Sequence, residues 1–334
     1  MKRRILGAVK GAAARFGVQI SRSEALYPWQ RDPDSGPRQA LDPLPPGAVD
    51  YLRWDHPRLA ELQRRYAAMD PRVTRPSTWL PDKLSGDDLL YFRGDNAFVW
   101  QVRTRNLNEL GYALCYYHFL STDDEGVAAK LNEDGLFGAY LIDVAGRQVS
   151  RDLLDSARQI QFLQRHVGLG SSKLSILDIG AGYGRLAHRI EQAVGDMAQV
   201  FATDAVAAST FIAEYYLRFR GLKTARAVPL DEVDDLLGRT PIDLATNIHS
   251  FSEMTPDAVE WWVERIAASN VRYLFVVPNA GTSAGERCQT NEGFDLESLF
   301  AKYGYNIRVR EPCYQDPLVQ RYGIDPVSLH LFER

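Results

Sequence analysis

The chain has 334 residues, 45% hydrophobic and 25% charged, with a net charge of −4, a globular composition sized for about two domains. No basic surplus supports general nucleic-acid binding, and no run of about 18 uncharged apolar residues could cross a membrane. Cys115, Cys288 and Cys313 are too scattered for a zinc ribbon or a disulfide framework and point to a reducing, cytoplasmic setting without structural zinc.

Residues 1–22 place Ile5, Val9, Ala12, Ala13, Phe16 and Ile20 at helical spacing among Lys2, Arg3, Arg4, Lys10 and Arg15. Lys10 and Arg15 break the apolar core that a signal peptide needs. A basic amphipathic helix of this kind can lie on an anionic membrane face or pack on its own protein. Residues 23–50, with "RDPDSGPRQALDPLPPGAVD", read as a Pro-rich linker, and 51–168 read as mostly helical. A helix starts after Ser150 as its cap.

From 169 onward short apolar runs alternate with helical patterns. "LSILDIG", "AQVFATD", "TARAVPL", "IDLATNI" and "VRYLFVVPN" read as strands, with helices over "GRLAHRIEQAV", "VAASTFIAEYYLRFRG" and "TPDAVEWWVERIAAS". The last of these has Thr255 as cap and Pro256 at its first position. A helix at "DLESLFAKYGY" then precedes two closing strands, "NIRVRE" and "VSLHLFE", which no obvious helix separates and which should pair antiparallel. The pattern is that of an open α/β sheet, parallel in its main part, preceded by a mostly helical region.

"LDIGAGYGRLAHRI" carries most of the functional information. A strand ends in Asp178, then Gly180, Gly182 and Gly184 lead into a helix at about Arg185. Glycines at a strand-to-helix turn let a ligand approach the backbone. The spacing is DxGxGxG rather than the dinucleotide GxGxxG, and position 185 is Arg. It resembles motif I of the class I S-adenosylmethionine-dependent methyltransferases, which have a Rossmann-like sheet with antiparallel closing strands. The resemblance implies a cofactor site built from Asp178, Gly180, Ala181, Gly182, Gly184 and Arg185. It assigns Asp204 to the ribose hydroxyls, with Ala205 beside it and Asn247 at the tip of the fourth strand. Residues 169–334 would be the cofactor domain and 51–168 a substrate and lid region.

"YFRGDNAFVWQ" (91–101), "VSRDLLDS" (149–156), the glycine motif and "NIHSFSEM" together resemble the bacterial sugar O-methyltransferases associated with polysaccharide decoration. This finer resemblance implies methyl transfer to a sugar hydroxyl of a glycan or lipid-linked glycan, at the cytoplasmic face of the membrane if residues 1–20 bind it. The poorly nucleophilic hydroxyl needs a proton acceptor. His249 is the leading candidate, with Glu253 to orient it; alternatively His249 bonds its own loop or the cofactor, and Glu253 favours the next helix's positive end. Asn247 and Asn279 stand where metal-dependent O-methyltransferases carry acids, so magnesium is disfavoured and no metal ligand is assigned. Tyr117, His118 and Tyr183 are candidate substrate contacts, as are Arg93, Asp95, Trp100 and Gln101, although aromatics at helical spacing usually fill a core. Trp261 and Trp262 should pack on the sheet. The alternatives are a methyltransferase of another small hydroxylated metabolite and a non-catalytic cofactor-binding partner in glycan assembly.

Overall fold

In the computed structural model, residues 9, 10, 12, 13, 15, 16, 44–74, 78, 79, 83–94, 97, 98, 109–279, 287–324 and 327–334 are described. Most of the expected amphipathic helix over 1–22 and of the linker over 23–50 lies outside them, as do Asp95, Trp100 and Gln101.

Helix α1 (Pro57–Ala67) starts where Pro57 sets the first turn and His56 Nδ1 accepts from Arg58 N at 3.1 Å. Helix α2 (Glu109–Ser121) leads to a hairpin of β1 (Ile142–Val144) and β2 (Arg147–Val149). This hairpin lies within the stretch read as helical. Its strands are three residues each, too short to show an alternation, and its turn rests on positive φ at Ala145 (53°) and Gly146 (79°). Helix α3 (Arg151–Val167) is capped by Ser150, whose Oγ accepts from Leu153 N at 3.0 Å, and Gly168 ends it at φ 74°.

The second half alternates as expected: β3 (Leu174–Ile179), α4 (Arg185–Val194), β4 (Ala198–Thr203), α5 (Ala207–Phe219), β5 (Ala225–Ala227), α6 (Val233–Arg239), β6 (Leu244–Ile248), α7 (Pro256–Ala268), β7 (Tyr273–Val277), α8 (Leu296–Lys302), β8 (Asn306–Pro312), α9 (Pro317–Tyr322) and β9 (Ser328–Glu333). The short helices α6 and α9 add to the sequence reading. Asp316, whose carboxylate accepts from Leu318 N at 2.7 Å, and Pro317 start α9 between the closing strands. The sheet order is β5-β4-β3-β6-β7-β9-β8. Strands β3 to β7 are parallel, β9 runs antiparallel to β7, and β8 antiparallel to β9. The chain builds outward from β3 in one direction and from β6 in the other, so the order reverses between them. In open α/β sheets the crevice beyond the strand ends at such a reversal takes ligands.

Parallel strands are covered on both faces, and β3 accordingly buries Leu174, Ile176, Leu177 and Ile179. Trp261 and Trp262 of α7 are fully buried. The earlier half packs onto this sheet: Tyr66 Oη lies 2.8 Å from Thr210 Oγ1 of α5, Arg58 makes a two-pronged pair with Glu214, and Phe162 stacks on Phe275 with ring centroids 5.0 Å apart. The buried apolar side chains form one continuous core. Among the described residues, no helix is long and apolar enough to cross a membrane.

Candidate active site

A cavity of about 590 Å³ opens beyond the carboxyl ends of β3, β4 and β6. Its floor is the glycine turn. Gly180 sits at φ 69°, and a Cβ there would lie 2.0 Å from Ser250 Oγ. Gly182 sits at φ 58°, with Phe98 across the cavity at 3.4 Å from such a Cβ. Gly180 therefore requires glycine for conformation and for space, and Gly182 for conformation. Gly180 N and Ala181 N donate to Thr203 O at 2.9 and 3.0 Å, which ties the turn to the end of β4. Gly184 is the N-cap of α4 and packs against Leu217, off the cavity.

Two carboxylates flank the turn. Asp178 accepts from Thr246 Oγ1 of the neighbouring strand at 2.7 Å, and burial pushes its pKa up to about 6. Asp204 accepts from Gly182 N at 2.9 Å and Val206 N at 2.8 Å. Burial nevertheless pushes its pKa up to about 7, with Asp178 and Glu253 adding to the rise. Neither is in an ion pair among the described residues. Desolvated carboxylates facing a cavity favour a ligand that brings positive charge or hydroxyl donors. Ala205 lines the same wall. Arg185, at the first position of α4, also faces the cavity and is held by neutral groups, donating to Ser156 Oγ at 2.7 Å and Gln159 Oε1 at 3.2 Å.

His249 follows β6 with φ 68°, a strained conformation for a residue bearing a Cβ. Its N–H donates to Val277 O at 2.7 Å and its ring Nδ1 lies 3.3 Å from Pro278 O. The tautomer that donates to this carbonyl leaves the lone pair on Nε2. Burial pushes its pKa down to about 4; the charge of Asp155 opposes the shift, and those of Arg185 and Arg151 add to it. The ring is thus neutral near pH 7 and able to accept a proton.

Five of the expected site residues stand elsewhere or do other work. Glu253 lines the cavity but does not orient His249: its carboxylate accepts from Trp79 Nε1 at 2.7 Å and Asn279 Nδ2 at 3.2 Å. Asn247 is fully buried and braces the loop, donating to Ile179 O at 2.9 Å and accepting from Phe251 N at 2.7 Å. Tyr117 lies exposed on α2 and His118 packs edge-on against Tyr314; neither is among the residues that line the cavity. Tyr183 does line it, but its ring is buried against Phe92 and Tyr216 and its hydroxyl donates to Asp152 at 2.9 Å. Among the described residues, no group of three His, Cys, Asp or Glu is placed to hold a metal.

The sequence reading missed a buried ionic network behind the turn. Asp152 accepts from Arg93 Nε at 3.0 Å and Arg189 Nε at 2.9 Å, and Glu133 receives the other ends of both guanidiniums at 2.6 Å. Ser150 Oγ donates to Glu133. All four charged side chains are at most 2% exposed. Although burial opposes it, Arg189 and Arg93 hold the Asp152 carboxyl well below the usual range. The stretches around Arg93, Ser150–Asp152 and Tyr183–Arg189, noted separately in the sequence, meet here. Arg151, Asp155, Trp79 and Phe98, also unanticipated, complete the walls of the cavity.

No family model and no curated protein matches the chain. Among solved structures it is similar to a SAM-dependent methyltransferase from Aquifex aeolicus, with 16% identity over 49% of this chain and 84% of that one and a TM-score of 0.38. Magnesium protoporphyrin IX methyltransferase from Synechocystis PCC 6803, with bound SAM, matches at 15% identity over 55% and 81%, with a TM-score of 0.37. The [4+2]-cyclase SpnF matches at 16% identity over 66% and 94%, with a TM-score of 0.39. Likeness at this level bears on neither activity nor substrate; strand order, glycine turn and crevice make the chain an open α/β protein with a Rossmann-like sheet.

Proposed function

We propose that the chain is an S-adenosylmethionine-dependent O-methyltransferase that methylates a sugar hydroxyl of a glycan or glycolipid. The observation that carries this reading is the pair of desolvated carboxylates, Asp178 and Asp204, on either side of a glycine turn at the reversal of strand order. The residues fit the cofactor. Asp178 suits its cationic amino group, and Arg185, held by neutral partners, suits its carboxylate. Asp204 keeps lone pairs for the ribose hydroxyls, and Gly180 and Gly182, without side chains, let a ligand approach the backbone of the turn.

When bound, the cofactor supplies an electrophilic methyl group on a sulfonium sulfur. The chain's own contribution is to hold the acceptor oxygen in line and to take its proton. His249 is neutral, fixed by Pro278 O, and presents Nε2 for that task. The sugar assignment rests on the stretches around Arg93, Ser150–Asp152, the glycine motif and His249, which resemble sugar O-methyltransferases. We assign residues 1–20 to the cytoplasmic membrane face, where lipid-linked glycans would be within reach.

Incubation with methyl-labelled S-adenosylmethionine and a panel of methyl glycosides, alongside simple aliphatic and phenolic alcohols, tests this reading. The expected product is a labelled methyl ether on a glycoside, formed equally with a chelator present. Label on the alcohols alone would move the acceptor class to small metabolites, and no transfer to any acceptor would contradict the activity.

A further inference from the structure

We propose that Trp79 is the platform on which the acceptor's sugar ring stacks, and that Glu253 and Asn279 are the positioning residues that fix it; this inference rests on the reading of the chain as a sugar O-methyltransferase. Among the described residues, Trp79 is the one tryptophan in the cavity wall, and it is half-buried. Its indole N–H donates to Glu253 Oε2 at 2.7 Å. What it offers a ligand is therefore apolar ring surface rather than a donor. Phe98 packs on it with ring centroids 5.2 Å apart and planes tilted by 44°, which widens the apolar wall. A pyranose has a comparatively apolar face of C–H groups, edged by hydroxyls. Such a ring can bury that face on an aromatic side chain and keep its hydroxyls for polar groups at the rim.

The hydrogen bonds that hold Trp79 also tie it to the proton acceptor's loop. Glu253 Oε1 accepts from Asn279 Nδ2 at 3.2 Å, so one carboxylate joins the indole to the segment after β7. Asn279 follows Pro278, whose carbonyl oxygen lies 3.3 Å from His249 Nδ1. The anchor of the indole and the anchor of the histidine are thus adjacent residues. The loop between His249 and Glu253 braces both: Asn279 N donates to Ser252 Oγ at 3.1 Å, and Asn291 N donates to Ser252 O at 2.7 Å. Asp178, Arg185 and Asp204, the residues assigned to the cofactor, take no part in these bonds. The frame therefore belongs to the acceptor's side of the cavity. Asn279 and Asn291, both in its wall, carry the amide groups that suit a sugar's rim hydroxyls. Glu253 orients the indole, and through it the sugar, rather than the imidazole.

The test reads binding and needs no turnover. Protein carrying ¹⁵N-labelled tryptophan and saturated with S-adenosylhomocysteine is titrated by NMR with methyl glycosides and, as ringless controls, with simple aliphatic alcohols. The Trp79 indole N–H signal is assigned by its loss in Trp79→Phe, and circular dichroism checks that each variant is folded. A methyl glycoside should move the Trp79 signal, and an alcohol should not. Trp79→Ala should raise the Kd for that glycoside, read from the glycoside's own signals, about tenfold to a hundredfold, with the Kd for S-adenosylhomocysteine unchanged. Glu253→Ala should raise the glycoside Kd and shift the Trp79 signal of the glycoside-free protein; Glu253→Gln, which keeps an acceptor oxygen, should largely restore both. Three results would each overturn the assignment: a Trp79 signal that no glycoside moves, an unchanged glycoside Kd in Trp79→Ala, or a loss of S-adenosylhomocysteine affinity alone in that variant, which would give the ring to the cofactor's base. Should Trp79→Ala fail to fold, an unchanged glycoside Kd in Glu253→Ala would overturn it equally. Glycosides that bind on Trp79 without being methylated would leave the platform standing and end the methyltransferase reading. Glycosides methylated with a KM indifferent to Trp79→Ala would do the reverse.

Discussion

At the level of single residues, the site divides into groups that shape the floor and groups that do chemistry. Gly180 belongs to the first. Alanine there would meet Ser250 at 2.0 Å while holding φ at 69°, so Gly180→Ala should abolish S-adenosylhomocysteine binding in calorimetry, with the fold retained by circular dichroism. On the proposed function, His249 belongs to the second. His249→Ala should bind S-adenosylhomocysteine as the wild type does and lose about 10²- to 10⁴-fold in kcat; near wild-type turnover would place the proton acceptor elsewhere. Asp178, Gly180 and Asp204 could be read from the sequence: Asp178 and Gly180 are brought to one strand end by the local spacing of strand and turn, and Asp204, at the end of β4, joins them through the parallel pairing of β3 with β4. Glu253 could not. It stands four residues after His249, a spacing at which helical side chains meet, but the positive φ of His249 puts that residue outside the 3₁₀ turn Ser250–Glu253, and the two side chains part. Asp155 was hidden for the opposite reason: its place in the cavity wall depends on how α3 packs on the sheet.

Among the elements, α3 links the two halves of the chain. Its first turn supplies Asp152 to the buried ionic network and Arg151 and Asp155 to the cavity, while its far end stacks Phe162 on the sheet. The network is neutral as a set, two guanidiniums against two carboxylates, and removing one member leaves an uncompensated buried charge. Asp152→Ala should therefore cost about 3–5 kcal/mol of stability, measured by urea unfolding, while the surface pair Arg239–Asp235, exposed on both sides, should contribute less than about 1 kcal/mol. A loss below about 1 kcal/mol in Asp152→Ala would mean that the network does not organise the turn. The cap at Ser150 and the Thr255–Pro256 start of α7 were legible, since capping is a property of a few adjacent residues. The β1–β2 hairpin was not, because three-residue strands are shorter than the periodicity that reveals them.

For the molecule as a whole, strand order does most to place the candidate site. The reversal between β3 and β6 opens a crevice at the carboxyl ends of the central strands, and the chain's earlier half closes over it with Trp79, Phe98 and α3. The alternation of strands and helices predicted this sheet, and the antiparallel closing pair followed from the absence of a long crossover between β8 and β9. What closes the crevice depends on contacts between residues far apart in sequence, which no local pattern records. The central claim is that this crevice takes S-adenosylmethionine through ionised Asp178 and Asp204. Both carboxyls have folded pKa values above the 3.8 of an unperturbed aspartate, at about 6 and about 7. Binding that needs their charge is complete above pH 7 and is lost as pH falls through 7 and then 6, by up to about tenfold per pH unit for each proton taken up. Calorimetric titration of S-adenosylmethionine into the protein at pH 8 and pH 6, with Asp204→Ala alongside, tests this most directly. The account predicts one-to-one binding at pH 8, weaker binding at pH 6, and at least a tenfold loss (about 1.4 kcal/mol) in Asp204→Ala at pH 8. No binding at pH 8, or affinity indifferent to both pH and Asp204, would contradict it.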